Sequence, residues 1–300
     1  MALERHGDTL ILSGEIVRRD LDRIRQAFAE APVRTVVLRN SMGGNSWTGY
    51  RLGEFFRERG VRTLVSGHCV SACSRLFLGG VERRFTADYP ASLTYVGFHG
   101  HYEFDRLDPG AIERYDPAGW VQRFTEGRVD PALMRRWLAL PRRAGDVRFY
   151  PEAAKELLGA RSFLCQGSEP RRPQQCERLT AASHTALANG VVTHEALLFS
   201  PDADRLPFVR RARAHPASGY ASLMAIERLP AQPLARARSD YRAFLDAPLP
   251  RAFAMAVDGR RWAWAGNDQH ANERALERCG GTVRCRLYAV DERVVWTARR

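Results

Sequence analysis

Lysine is nearly missing from this chain. Lys155 is the only one in 300 residues, so almost all of the net charge of +12 is carried by arginine. A cationic excess of that size invites a nucleic-acid reading. The arginines, however, are spread through expected helices and loops alike, without interleaved aromatic residues, so the excess reads as the codon bias of a GC-rich genome. No nucleic-acid partner is expected. Long apolar runs are missing as well: nothing approaches the roughly 20 residues that cross a bilayer, so no membrane span is expected. Nor does Met1-Ala2-Leu3-Glu4-Arg5-His6 read as a secretory leader, since it enters directly into Thr9-Leu10-Ile11-Leu12, a first strand. An exported form has lost its leader or carries it upstream of this start.

Cysteine is sparse, but its spacing is informative. The six residues form three local pairs, Cys69/Cys73, Cys165/Cys176 and Cys279/Cys285. The last two bracket polar loops containing glycine or proline, which suits short disulfide-closed loops in an oxidising compartment, periplasmic or secreted. Cys69 and Cys73 are four apart at an expected helix start, where Cβ atoms lie roughly 5–6 Å apart, too far for an unstrained bridge. Packing around the intervening Ser71 is their expected role, unless the turn before the helix brings them together. His68, Cys69, Cys73 and His99 lack the second thiol pair of a closed zinc site, so no metal and no cofactor is expected.

With 45% hydrophobic residues, the chain can bury one large domain and a small one. Strand-like 10–12 is followed by an amphipathic helix over 20–29, marked by Leu21, Ile24 and Phe28 at helical spacing. A buried strand over 33–38, a helix with Leu52, Phe55 and Phe56 ending near Gly60, and a strand over 61–65 come next, with another strand over 93–98. This alternation predicts an α/β fold with a parallel sheet and βαβ crossovers. Residues 100–130, rich in Asp, Pro and Gly, read as a loop-like insertion. Asp130-Pro131 opens a helix carrying Leu133, Met134, Trp137 and Leu138, and 151–158 is a helix stopped by Gly159.

The expected division is a domain over 1–160, an extension and linker over 161–250 that includes a turn-strand at Gly190-Val191-Val192-Thr193, and a small α+β module over 251–300. That module reads as a strand over 252–257, a hairpin partner over 261–265, a helix over 272–279 and strands over 285–295 about the Asp291-Glu292 turn. It resembles small cysteine-containing modules appended to bacterial envelope proteins. Trp262, Trp264 and Trp296 are expected to complete its core rather than to form a ligand platform.

The chemistry gathers in three places. Val37-Leu38-Arg39-Asn40-Ser41-Met42-Gly43-Gly44 runs a strand into a glycine pair, whose bare amides suit an oxyanion. In Gly67-His68-Cys69-Val70-Ser71-Ala72-Cys73, a serine stands on a strand-to-helix turn, and the Ala72 amide at the helix start supplies a second donor. Serine needs a base within hydrogen-bond reach. Of His68, His99 and His101, His99 sits at the strand end after Val96-Gly97-Phe98 and is the expected base, with His101 in reserve. Asp146 is the expected acid, with Asp105, Asp108 and Asp116 as alternatives. The order Ser, His, Asp separates the chain from α/β-hydrolases, which run Ser, Asp, His.

Asn40-Ser41-Met42-Gly43-Gly44, the small-residue-flanked Ser71 and the strand-end His99 together resemble the proteolytic subunit of the Clp protease and its ClpP/crotonase-like relatives. The likeness is strongest to extracytoplasmic ClpP-like proteins with a Cys-x-Ser-Ala-Cys box, and it covers about residues 8–160. It implies Gly43 and Gly44 as oxyanion glycines, Ser71 as nucleophile, His99 as base and Asp146 as acid, the last preceding a Pro151-Glu152-Ala153 helix start. The implied activity is a serine peptidase without ATP, acting on small peptides or unfolded protein, possible homo-oligomerisation included. The alternative is an inactive, ligand- or protein-binding relative; an acyl-CoA activity ranks below both, because a crotonase needs no Ser/His pair. The long C-terminal extension departs from the Clp subunit and stands against its stacked-ring assembly.

Overall fold

The computed structural model describes residues 1–169, 173–228 and 235–296. The chain forms two compact units, Met1–Ala203 and Asp204–Arg300. Unit 1 is mixed α/β. Its strands are β1 (Ala2–His6), β2 (Thr9–Ser13), β3 (Thr35–Ser41), β4 (Arg62–Val70), β5 (Glu82–Phe85) and β6 (Tyr95–Phe98), then the small hairpin β7 (Tyr102–Glu103) and β8 (Arg106–Leu107), then β9 (Asp146–Phe149), β10 (Ser162–Cys165) and β11 (Glu177–Arg178). The helices are α1 (Asp20–Glu30), α2 (Ser46–Glu58), α3 (Ala72–Gly79), α4 (Pro109–Tyr115), α5 (Pro117–Phe124), α6 (Pro131–Leu138) and α7 (Ala154–Leu158).

Nine strands form the main sheet in the order β1-β2-β3-β4-β6-β9-β10-β11, with β5 also on β4. The centre is parallel, β2-β3-β4 with β5 and β6, as the βαβ alternation predicts, and the flanks are antiparallel. Strand β4 serves two neighbours in succession: Arg62–Val65 pair with β5, and His68–Val70 pair with β6. Buried Leu12, Val36, Leu38, Val65, Leu76 and Phe77 fill the core around it. Each such side chain contributes about 1.5–3 kcal/mol.

The first strand expected, 10–12, is the second one observed. Leu3 packs on the core from β1, whose alternation is too polar to read as a strand. Residues 100–130 are not a loop-like insertion, because they hold β7, β8, α4 and α5. Both helices begin as α6 does, on an Asp-Pro pair. Asp108 accepts from the Ala111 N–H at 3.1 Å, Asp116 from Gly119 at 3.0 Å and Asp130 from Ala132 at 2.8 Å, with proline at the first helical position each time.

The unit boundary also differs from the expected division. Residues 161–203 return to unit 1, supplying β10 and β11, while 191–193 run without strand structure, Thr193 donating its N–H to Arg83 O at 3.0 Å. Residues 200–202 are fixed to unit 1 by Arg39 of β3, which donates to Ser200 Oγ at 2.8 Å and pairs with both Asp202 oxygens at 2.7 and 2.8 Å. The expected extension and linker over 161–250 includes 170–172 and 229–234, which lie outside the described residues.

Unit 2 comprises α8 (Pro207–Ala214), α9 (Ala235–Asp246) and α10 (Ala271–Cys279) with an antiparallel sheet of β12 (Gly219–Tyr220), β16 (Arg293–Val294), β15 (Cys285–Val290), β13 (Arg251–Ala256) and β14 (Trp262–Gly266), in that order. Period-two alternation along β13 separates two cores. Phe253 and Met255 join Tyr241 and Phe244 of α9, with Trp262, Trp264 and Trp296 packed against them, so the tryptophans complete a core. Ala252 and Ala254 face Ala271 and Ala275 of α10 beside the Cys279–Cys285 disulfide. Arg211 of α8 pairs with Asp291 at 2.9 Å, which ties part of the expected linker into this unit.

Candidate active site

Strand β4 leaves the sheet through Ser71, whose φ of 60° and ψ of −125° no ordinary L-residue adopts without strain. Such a conformation costs about 1–3 kcal/mol and persists only where its surroundings over-determine it. Here the Ser71 N–H donates to Gly97 O at 3.1 Å, and its carbonyl accepts from Ser74 N at 3.0 Å, Ser74 Oγ at 2.6 Å and Arg75 Nη1 at 2.5 Å. A disulfide straddles the turn: Cys69 is bonded to Cys73, with Cα atoms 5.2 Å apart. This corrects the expectation that the two only pack around Ser71. Cys69 belongs to β4 and the helix starts at Ala72, so helical spacing does not apply, and the reversal at Ser71 brings the two side chains together. Cys165–Cys176 and Cys279–Cys285 are disulfides as expected. All six cysteines being bonded is compatible with an oxidising compartment.

The glycine pair meets the same turn. A Cβ on Gly43, at φ 95°, would lie 2.7 Å from Ser71 Cβ and 2.8 Å from the Ala72 nitrogen. Only a glycine admits that approach. Ile16 N donates to Gly43 O and Asn45 N to Ile16 O, both at 2.8 Å, which is the hydrogen-bond pattern of a parallel bridge to Gly44. In such a bridge the residue's own N–H points away from its partner. The Gly43 N–H is engaged by Ser41 Oγ at 3.2 Å, whereas the Gly44 and Ala72 amides have no acceptor among the described residues. They are the two donors available to an oxyanion.

Helix packing brings these segments side by side. A Cβ on Gly49 would meet Ala72 O at 2.9 Å, one on Gly53 would meet Arg75 O at 2.5 Å, and one on Gly79 would meet Gly53 O at 2.2 Å. Helices α2 and α3 therefore touch backbone to backbone, with both N-termini, positive ends of the helix dipole, beside the Gly44–Ala72 region. Sequence reasoning missed this contact, although Gly49 and Gly53 one turn apart are its signal.

His99 follows β6, and its side chain is buried. Its Nδ1 lies 2.7 Å from Gly100 O. A carbonyl only accepts, so Nδ1 carries the proton and Nε2 keeps the lone pair, the tautomer a general base requires. Burial, then the neighbouring Arg75, pull its pKa down to about 4, so the ring is neutral at pH 7. His101 is used otherwise. Its Nε2 shares a 2.9 Å hydrogen bond with Tyr50 OH, its ring stacks on Tyr115, and burial followed by Arg75 lowers its pKa to about 3. His68 stacks on Tyr95, and burial followed by Arg148 lowers its pKa.

Among the described residues the Ser71 hydroxyl makes no hydrogen bond, to His99 or to anything else. Catalytic contacts are often long before substrate binds. Asp146 starts β9, one residue before the Phe98↔Val147 pairing, but it is not bonded to His99. Its Oδ1 accepts from Arg148 Nε at 2.7 Å. Burial pushes the Asp146 carboxyl up against the pull of Arg148; burial also pulls the Arg148 guanidinium down, but Asp146, Tyr150 and Tyr95 together more than offset it, so its pKa is raised. The alternatives are engaged too: Asp105 accepts from the Arg143 N–H at 3.2 Å, and Asp108 and Asp116 cap helices. The Gly100 carbonyl is what orients the imidazole.

Met42 and Trp47, 64% and 36% exposed, flank the glycine pair, with Arg18 over the Trp47 ring. As for a metal, Cys69 and Cys73 are bonded to each other, so neither offers a thiolate beside His68 and His99. Glu4, His6 and Asp202 bring ligand atoms within 4.8 Å of one another. His6 is already bonded to Glu4, and Asp202 to Arg39.

His99 and His101, the histidines whose pKa is pulled down furthest, predict acid sensitivity. The unfolded chain binds protons near pH 6.5, the folded one near 4 at His99 and 3 at His101. Their contribution is whole above pH 6.5 and is lost as pH falls through that value toward 4. Thermal melts should show the melting temperature falling between pH 6.5 and 5, above the range of ordinary carboxylates, and falling less in His101→Phe. A flat profile in that window would contradict the burial of these rings.

Compared with protein-family models and with curated proteins, the chain matches none.

Proposed function

We propose that the protein is a serine hydrolase of ClpP-like type, a peptidase that works without ATP in an oxidising, periplasmic or extracellular compartment on small peptides or unfolded chains. The observation that carries this reading is the Ser71 turn at φ 60° and ψ −125°, with Gly43 seated against its Cβ and against the Ala72 amide. In the proposed cycle Ser71 Oγ attacks a carbonyl and passes its proton to His99 Nε2. The oxyanion is held by the Gly44 and Ala72 amides, and the imidazolium returns the proton to the leaving amine. Water then enters by the same route and releases the acyl group. The Gly100 carbonyl stands in for the carboxylate of a full triad. A neutral orienter stabilises the imidazolium less than an anion does, so a modest rate is expected.

A second reading, a binding protein that keeps the fold without the chemistry, is favoured by the missing Ser71–His99 hydrogen bond and by the commitment of Asp146 to Arg148. A fluorophosphonate probe separates the two. Expected is covalent labelling mapped to Ser71, absent in Ser71→Ala and in His99→Gln, and little changed in His101→Phe and Asp146→Asn. The rate should lose its base only as pH falls toward 4, the value to which burial brings His99. Folded wild-type protein that stays unlabelled favours the binding reading.

A further inference from the structure

Arg75 lies one turn into α3, and its side chain is buried. Nη1 donates to Ser71 O at 2.5 Å and to Ser74 Oγ at 3.2 Å, while Nη2 donates to His99 O at 3.2 Å. The guanidinium thus holds the carbonyl of the strained serine and the carbonyl of the histidine from one rigid plane. Its carbon stands 5.6 Å from the centre of the Tyr50 ring, whose hydroxyl engages His101. Among the described residues no carboxylate pairs with it. A buried cation without a counter-ion is costly, and its donors here are spent on the backbone of two segments that meet at one place.

We propose that Arg75 is the positioning residue of the site, a two-point clamp that fixes the Ser71 turn against the His99 segment. The inference rests on the hydrolase reading of Ser71 and His99. The clamp needs a planar fork: lysine keeps the charge but offers one point rather than two. Besides Arg75 from α3, the groups that face His99 are Arg143 from the loop before β9, Tyr102 from β7, and His101 on its own segment. Arg75 and Arg143 are both positive, so removing Arg75 removes the larger of two like-charge effects on the ring.

Arg75→Lys and Arg75→Met separate the two roles. Each variant should label with fluorophosphonate at least ~100-fold more slowly, the scale of a displacement of about 1 Å between reacting groups. Histidine-labelled protein followed by NMR should show the His99 titration moving up in Arg75→Met and staying low in Arg75→Lys, which retains the charge. Amide hydrogen exchange at Ser71, whose N–H is bonded to Gly97 O, should speed up at least tenfold in both. Arg75→Lys labelling at the wild-type rate would overturn the clamp. If the wild type itself does not label, the hydrolase reading fails and amide exchange decides: unchanged protection at Ser71 in both variants overturns the proposal. Should Arg75→Met not fold, Arg75→Lys carries the test.

Discussion

Gly43→Ala should abolish labelling of Ser71. The new Cβ would sit 2.7 Å from Ser71 Cβ, 2.7 Å from Val70 O and 2.8 Å from Ala72 N, at a φ of 95°. Neither backbone atom belongs to a flexible side chain, so the glycine loop must back away from the turn. That displaces the Gly44 amide from its place beside Ala72. Loss of one oxyanion donor costs about 10²–10³ in rate, and misplacing Ser71 adds to it. The strain itself is about 1–3 kcal/mol, so the fold should survive, as circular dichroism and a melt would verify. Gly60→Ala is the control: its φ of 63° is also positive, in the left-handed region, but a Cβ there meets nothing within 4 Å. It should lose some stability and label as wild type. Equal labelling by Gly43→Ala would show that the glycine contact has no part in the chemistry.

The second large effect is expected from Cys69→Ala/Cys73→Ala. Closing a ring of five residues stabilises the fold by about 2 kcal/mol through the unfolded chain, and this ring contains Ser71. Removing it lets the serine relax toward an ordinary strand-to-helix turn. Labelling should therefore fall much further than stability does. Cys165→Ala/Cys176→Ala gives the converse pattern. Its ring is longer, with a separation of 11, so the stability loss is larger, about 3 kcal/mol, while Ser71 is untouched. Labelling rates normalised to folded protein would settle the matter; parallel losses in the two double variants would mean that Cys69–Cys73 acts on stability alone. Variants are the right tool, since Cys69 and Cys73 are 0% exposed and shielded from a reductant.

Much of unit 1 was legible because its strands are apolar and its helices amphipathic. The parallel centre followed from the alternation of 10–12, 20–29, 33–38 and 61–65. What escaped was carried by weaker signals. Helix α5 buries Pro117, Trp120, Val121 and Phe124, a helical spacing in only eight residues, and the composition around it drowned that pattern. The Asp-Pro start that revealed α6 stood equally before α4 and α5. In unit 2, α9 presents Tyr241 and Phe244 among arginines and alanines, so its apolar face is narrow and the stretch read as linker. At the site, serine, glycines and histidine were visible as residue types at element ends. Arg75 was not, because in a chain with 46 basic residues a single buried guanidinium has no distinguishing mark. Nor does a sequence show that Asp146 points to Arg148, two residues along the same strand face, rather than to an imidazole on the next strand.

The pairing of the cysteines bears on how the protein matures. Six cysteines admit fifteen sets of bonds, yet here the first joins the second, the third the fourth and the fifth the sixth, at separations of 4, 11 and 6. A chain oxidised from its N-terminus as it emerges, each thiol bonding to the one left open before it, arrives at the native set directly. No thiol has to wait for a partner made hundreds of residues later. Oxidation in that order would leave no mistaken bond to reshuffle.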